Sequence, residues 1–269
     1  MPMRIFYQGD GDMLEVRYLA HSGFAVFTEH TACIFDYFQD EPKGGSFADG
    51  VVDPAELSAW AAGGNQSAGG EKEGLREERE IFVFVSHHHH DHWNPAVFSW
   101  RKACPSIHYV LSSDVWTRED ALRMKPGESR DIGRVQVRTL KSTDEGVAFL
   151  VQADGLTLYH AGDLNWWHWD GEPEEDNRRM EQKYKAQIDR LKGVQVDLAF
   201  LPADPRQGED GLRGLLYFLD TVRPRFAVPM HCWEDAAWLE WLKAAPALAP
   251  YRERLRILEK RGQSVRLLL

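Results

Sequence analysis

Apolar residues fall along this chain in short runs, rich in β-branched and aromatic side chains, that Gly, Asp and Ser separate. Residues 3–8, 14–20, 24–28 and 32–37 read as a meander of strands, because Gly-Asp and Ser-Gly pairs between them supply turn chemistry. Residues 54–61 suit a short helix. The run Ile81-Phe82-Val83-Phe84-Val85 has no polar alternation, as a strand buried on both faces requires. A short helix at 96–103 and strands at 107–111 and 135–140 follow. Two further runs, 147–152 and 156–160, are joined by Ala153-Asp154-Gly155, and Asp-Gly between strand-like runs predicts a hairpin.

Downstream the period changes. Over 174–191 the residues Met180, Tyr184, Ile188 and Leu191 share one helical face, with Gly193 as a stop, so the spacing predicts an amphipathic scaffold helix. A strand at 196–201, a helix at 212–222, a strand at 226–230, a helix at 235–245 with Trp238, Leu239 and Leu242 inward, and a closing strand at 265–268 complete the pattern. Strands mixed with helices in both halves of the sequence point to an α/β (α+β) fold. With 269 residues and 43% hydrophobic content the chain can bury one large core, so a single domain over 1–269 is the expectation. One stretch breaks the pattern. From about 61 to 80 a Gly-rich segment passes into a charged tract with too little apolar surface to offset its ordering entropy, and a flexible insertion is expected there.

Charge and cysteine usage narrow the partners. A formal net charge of −10 opposes binding to phosphate backbones, so nucleic acid is excluded as an expected partner. Cys33, Cys104 and Cys232 form no close-spaced pair, which fits a reducing cytoplasm. The first residues lack a charged segment followed by a long apolar one, and no apolar run reaches about 18 residues, so neither secretion nor a membrane span is expected.

Candidate chemistry begins where the 81–85 strand ends. Ser86-His87-His88-His89-His90-Asp91-His92-Trp93-Asn94-Pro95 packs imidazoles and a carboxylate into one loop, a donor set that suits a borderline divalent ion such as zinc. The run is internal, unlike a purification tag. Gly162-Asp163 and His231 likewise stand at strand ends, and His160 belongs to its strand. Trp93, Trp166, Trp167 and Trp233 each lie close to one of these groups, so convergence of the loops would gather an aromatic wall that His168 and Trp169 extend. Arg206, in Asp204-Pro205-Arg206 after the 196–201 strand, would reach the same rim and could hold a carboxylate or phosphate. Cys232 reads as a buried, inert thiol.

The spacing His87-x-His89-x-Asp91-His92 after a hydrophobic strand resembles the signature of the metallo-β-lactamase-fold hydrolases. The likeness extends through His21-Ser22-Gly23-Phe24, Ile34-Phe35-Asp36, Gly162-Asp163 and Pro229-Met230-His231. Within that superfamily the chain is most similar to the branch with ascorbate-6-phosphate lactonase-like proteins. The resemblance implies a four-layer αββα sandwich of two mixed β-sheets flanked by helices. It also implies one or two divalent transition metal ions, zinc first, with manganese or iron as alternatives. One ion would take His87 and His89, the other Asp91, His92 and His231, with Asp163 between them. His21 would lie in a loop approaching the metals as a pocket group, and Asp36 would support the histidine loop from beneath.

One ligand of that pattern is missing. The loop that should bring a third histidine to the first ion reads Lys141-Ser142-Thr143-Asp144-Glu145-Gly146. Asp144 or another oxygen could substitute, the first ion could bind weakly, or the second ion alone could fill. The expected activity is hydrolysis of a small ester, lactone, amide or phosphoester by a metal-bound hydroxide, with Asp163 and Asp91 as the catalytic carboxylates. The alternative is a catalytically silent metal-binding or ligand-sensing protein. Redox use of two irons is disfavoured, because the di-iron relatives carry a carboxylate where His89 stands. The expected partner is a small-molecule substrate, and the sequence leaves the oligomeric state open.

Overall fold

The structure is a computed structural model that describes residues 13–63 and 79–269. The strand expected at 3–8 and the core of the expected Gly-rich insertion, 64–78, lie outside the described residues. Thirteen strands form two mixed sheets among the described residues. In the first, β1 (Met13–Ala20), β2 (Gly23–Phe27) and β3 (Thr31–Phe35) are antiparallel neighbours. Beyond them β4 (Glu80–Val85), β5 (His108–Ser112) and β6 (Leu122–Met124) run parallel to β3, and β13 (Ser264–Leu268) closes the other edge against β1. In the second, β7 (Ser129–Ile132), β8 (Val135–Lys141), β9 (Val147–Ala153) and β10 (Leu156–His160) are antiparallel, and β11 (Leu198–Pro202) and β12 (Phe226–Met230) continue parallel to β10.

The 81–85 run behaves as its pattern requires. Phe82 and Phe84 enter the core between the sheets, whereas Ile81, Val83 and Val85 enter a second core on the outer face. Between the sheets Phe24 meets Phe200 at 4.3 Å and Phe84 meets Phe149 at 5.3 Å, ring centroid to centroid. On the outer face of the first sheet, α1 (Pro54–Ala61) buries Leu57 and Trp60, and a 3₁₀ segment Pro95–Lys102 buries Val97 and Trp100. On the outer face of the second, Phe218 of α3 (Arg213–Thr221) stacks on Tyr159 at 4.7 Å. Tyr184 of α2 (Glu174–Ile188) donates to the Gly214 carbonyl of α3 at 2.7 Å. The four layers are therefore helix, sheet, sheet, helix. The last helix, α4 (Ala236–Ala244), is capped by the Asp235 carboxylate, which accepts from the Trp238 amide.

Several expectations are adjusted. The segment at 96–103 is 3₁₀ rather than α, with Asn94 as its cap and Pro95 at its start. The helix expected over 174–191 ends at Ile188 and continues as a 3₁₀ turn, Asp189–Leu191. Met180, expected among its core positions, is half-buried and lines a cleft instead. Strands β6 and β7 were not foreseen, β6 being only three residues long and β7 mostly polar.

Candidate metal centre and cleft

The candidate ligands sit at one end of the two sheets, after the carboxyl ends of β1, β4, β10 and β12, with Asp36 after β3, Asp144 after β8 and Asp204 after β11, where open α/β sheets usually place ligands. Two glycines draw the loops together there. A Cβ on Gly146 would stand 2.0 Å from the Ser86 carbonyl oxygen, and one on Gly162 would stand 2.6 Å from the Ser86 side chain. Both have positive φ, 69° and 51°, so glycine serves both the turn and the close approach. The Val147 amide then bonds the Ser86 carbonyl at 2.9 Å. In this way the histidine loop, the 141–146 loop and the end of β10 are held as one unit.

The imidazoles are aimed by their neighbours. Asp36 is fully buried, and its Oδ2 accepts from Nδ1 of His92 at 2.8 Å and from the Ser86 hydroxyl at 2.6 Å, while Oδ1 accepts from the Ser86 amide. With its proton committed to Asp36, the Ser86 Oγ accepts from Nδ1 of His87 at 3.0 Å. His231 gives its Nδ1 proton to Asp204 Oδ2 at 2.9 Å. These bonds put the protons on Nδ1 and leave the Nε2 lone pairs for the centre, the usual outer-partner arrangement for ligating histidines. His160 is different. Its Nε2 donates to the Ser22 carbonyl and its Nδ1 accepts from the Gly162 amide, so both nitrogens are used in holding the fold.

At the centre stands Asp163, 5% exposed. Its Oδ2 lies 3.5 Å from Nε2 of His87, and its Oδ1 lies 3.3 Å from Nε2 of His92 and 3.4 Å from Nε2 of His231. Two donor groups result, each with its ligand atoms within 4.8 Å of one another: His87, His89 and Asp163, and His21, Asp91, His92 and His231. His87 Nε2, His92 Nε2, Asp163 Oδ1 and both nitrogens of His21 are buried with no hydrogen-bond partner. Leaving one such atom unpaired costs about 1–3 kcal/mol. Five of them in one place are hard to reconcile with a purely structural cluster, and they fit ligands for divalent ions.

The electrostatics agree. Burial pushes the Asp163 pKa up to about 7, with His231 acting against it and Asp144, Asp36 and Asp91 adding to it. Burial, then the neighbouring imidazoles, holds His21 and His92 neutral by lowering their pKa values. Burial also lowers His231, but Asp163 and Asp204 outweigh it and leave its pKa raised. Asp204 is raised by burial, yet hydrogen bonds from His231 and Arg206 dominate and lower it.

A cleft of about 520 Å³ opens over this centre. Asp91, Asp144, Asp163, Trp167, Trp169, Arg206 and Trp233 line it as expected, joined by His90, Thr143 and Met180. Trp167 and Trp169 stack with their rings 4° apart, and the Arg206 guanidinium lies over Trp233 at 4.8 Å. Arg206 Nε is 3.0 Å from both oxygens of Asp204, so this arginine braces the His231 partner as well as facing the cleft. Three expected wall residues are elsewhere, His168 among them, with its Nε2 3.7 Å from Asp210 Oδ2. Trp93 packs on Phe98 beneath the first sheet, and Trp166 lies under Lys185 and beside Tyr217.

The sequence reading placed His21 in the pocket, whereas the structure puts it among the ligand atoms. It also missed Asp204, whose signal was only an Asp-Pro step at a strand end, and Glu145. Glu145 reaches His88 Nδ1 at 2.8 Å and His89 Nε2 at 3.9 Å from the loop that lacks a histidine. Asp144 lines the cleft but stands outside both donor groups.

The family described as the beta-lactamase superfamily domain matches residues 15–168, more than half of the chain. The chain belongs to the β-lactamase superfamily. That match takes in Asp36, the histidine loop and Asp163, whereas Asp204 and His231 lie beyond it. Solved structures share the fold at low identity. Igni18, a metallo hydrolase from the archaeon Ignicoccus hospitalis, is 14% identical, with 95% of this chain and 98% of that one covered at a TM-score of 0.59. A diphosphatase of the PhnP family is 11% identical, with 96% and 98% covered at a TM-score of 0.51. CmlA, a diiron β-hydroxylase from Streptomyces venezuelae, is 12% identical over 97% of this chain but 55% of its own length, at a TM-score of 0.53. No curated protein matches the chain by sequence. Superfamily membership makes this a metallo-hydrolase-like fold, and its two largely buried His/Asp groups suggest divalent metal binding.

Proposed function

We propose that the chain is a metal-dependent hydrolase of a small ester, lactone, amide or phosphoester. The observation that carries this is the convergence of unpartnered Nε2 atoms on Asp163 at the floor of a tryptophan-lined cleft. Bound divalent ions, zinc first and manganese or iron as alternatives, would supply an activated water and polarise the scissile group at neutral pH. His87, His89 and Asp163 would hold one ion, and Asp91, His92, His231 and Asp163 the other. Asp163 is placed to orient the attacking water through Oδ1 and to receive its proton. Asp91 contributes a second carboxylate to the cleft.

Trp167, Trp169, Trp233 and Met180 give the cleft an apolar wall suited to excluding water from a small molecule. Arg206 retains guanidinium hydrogens beyond those used by Asp204 and offers them to an anionic group of the substrate. Three buried, unpaired cysteines support a reducing, cytoplasmic setting. No helix among the described residues is long and apolar enough to cross a membrane.

The test is turnover of an ester, lactone and phosphodiester panel by protein reconstituted with zinc, manganese or iron, with Asp163→Ala as control. Hydrolysis lost in the variant supports the reading. The three-donor first group favours a second reading, a silent metal-binding protein, and metal uptake without turnover of any panel member would select it.

A further inference from the structure

We propose that His21, from the turn between β1 and β2, is a ligand of the second ion and gives it an additional imidazole beside Asp91, His92 and His231. The inference rests on the hydrolase reading of the same centre, and its geometry is specific to this chain. His21 is 4% exposed, and neither ring nitrogen has a hydrogen-bond partner. Every other buried imidazole among the described residues has at least one nitrogen bonded: His87 to Ser86, His92 to Asp36, His231 to Asp204, and His160 at both.

The backbone makes the placement deliberate rather than incidental. His21 has φ 52°, a left-handed conformation that few non-glycine residues adopt, beside a register shift in the pairing of β1 with β2. Its amide donates to the Tyr18 hydroxyl at 2.8 Å, and its carbonyl accepts from the amide of His231 at 3.3 Å. The second contact ties His21 directly to a residue of the ligand group. The ring then sits 4.0 Å from the His231 ring and 5.6 Å from the His92 ring, centroid to centroid, with Nε2 3.7 Å from Asp91 Oδ2. That separation is too long for a hydrogen bond and suits two ligands of a common ion.

The consequence is an unequal pair. The second ion gains a third imidazole, whereas the first keeps two histidines and shares Asp163. A chain that lacks a histidine on one side thus carries an added one on the other, and the second ion should bind first and leave last.

The experiment compares wild type, His21→Phe and Asp163→Ala by titrating metal-free protein with Co²⁺, reading both the visible absorption spectrum and the affinity by chelator competition. Wild type should bind two equivalents in two steps. In His21→Phe the tighter step should weaken by at least roughly tenfold, the smaller loss seen when even an outer partner of a ligand is removed, and its spectrum should change, while the weaker step stays in place. Urea unfolding of the metal-free proteins supplies a second readout. Phe fills the space without two unpaired nitrogens, so metal-free His21→Phe should be at least as stable as wild type if His21 is a ligand, and less stable if it is a structural residue. Wild-type spectrum and affinity in His21→Phe would overturn the His21 assignment and leave the hydrolase reading standing. Wild type that binds no more Co²⁺ than Asp163→Ala would overturn both.

Discussion

The carboxylate of Asp36 accepts a hydrogen bond at 2.8 Å from Nδ1 of His92, 56 residues further along the chain. The same carboxylate holds both the amide and the hydroxyl of Ser86, and through that hydroxyl it orients His87. One buried charge therefore sets two imidazoles, one in each donor group. Asp36→Asn tests this with little change of shape, since Asn also tolerates the positive φ of 44° found here. Only one amide atom can accept, so either His92 or Ser86 loses its partner. Metal affinity measured by chelator competition should fall roughly 10–100-fold, and urea unfolding should register a loss of about 1–3 kcal/mol. Unchanged affinity would mean that His92 is held by packing alone.

Gly146→Ala and Gly155→Ala separate backbone strain from close approach. Both glycines have positive φ, 69° and 77°, but a Cβ at Gly155 meets nothing within 4 Å, whereas one at Gly146 meets the Ser86 carbonyl. Gly155→Ala should cost about 1–2 kcal/mol from conformation alone. Gly146→Ala should cost about 1–3 kcal/mol more, because the neighbour is backbone and must shift, and it should also lower metal affinity by displacing Ser86. Equal midpoints in urea, at equal slopes, would show that the 141–146 loop does not brace the histidine loop.

Most of the architecture was legible because each buried strand is a contiguous apolar run. The run at 81–85 and the hairpin through Asp154-Gly155 were recognisable from residue type alone, and both strands expected at 156–160 and 226–230 have those bounds. Strands β6 and β7 were not legible, since Leu122-Arg123-Met124 is only three residues long, Ser129-Arg130-Asp131-Ile132 is mostly polar, and both owe their extension to pairing with β5 and β8. At the centre, residue type identified which side chains had ligand chemistry. It did not identify direction: Trp93 packs into the outer core and Trp166 against Lys185 and Tyr217, while Met180, read as core, faces the cleft. Asp204 and Glu145 act through distances that no local spacing encodes.

The two tryptophans placed differently by the structure should respond differently to truncation. Trp233 is 44% exposed and rests under Arg206 at the rim of the cleft. Its indole N–H also donates to Asp204 at 3.3 Å, so Trp233→Ala should cost about 0.5–1.5 kcal/mol and raise KM more than it lowers kcat, the pattern of lost ground-state binding. Trp93→Ala removes packing against Phe98 and the outer core. It should lower stability by more than Trp233→Ala and leave KM alone. A KM effect from Trp93→Ala that exceeds that of Trp233→Ala would place substrate elsewhere.

The last prediction concerns the missing histidine. Asp144 lines the cleft and raises the pKa of Asp163, so the loop brings a carboxylate to the side of the centre that lacks a histidine, though it stands outside both donor groups. Oxygen-rich shells favour manganese and similar ions, and imidazole favours zinc. Asp144→His should therefore strengthen zinc binding at the weaker of two sites and leave the stronger one unchanged, with manganese binding at the weaker site reduced. Asp144→Ala should weaken the first site for both metals. Glu145→Gln provides the contrast, because Glu145 is near His89 but is bound more closely to His88. If Glu145→Gln lowers occupancy of the first site and neither Asp144 variant does, the oxygen donor of that ion is Glu145, and the role given to Asp144 is wrong.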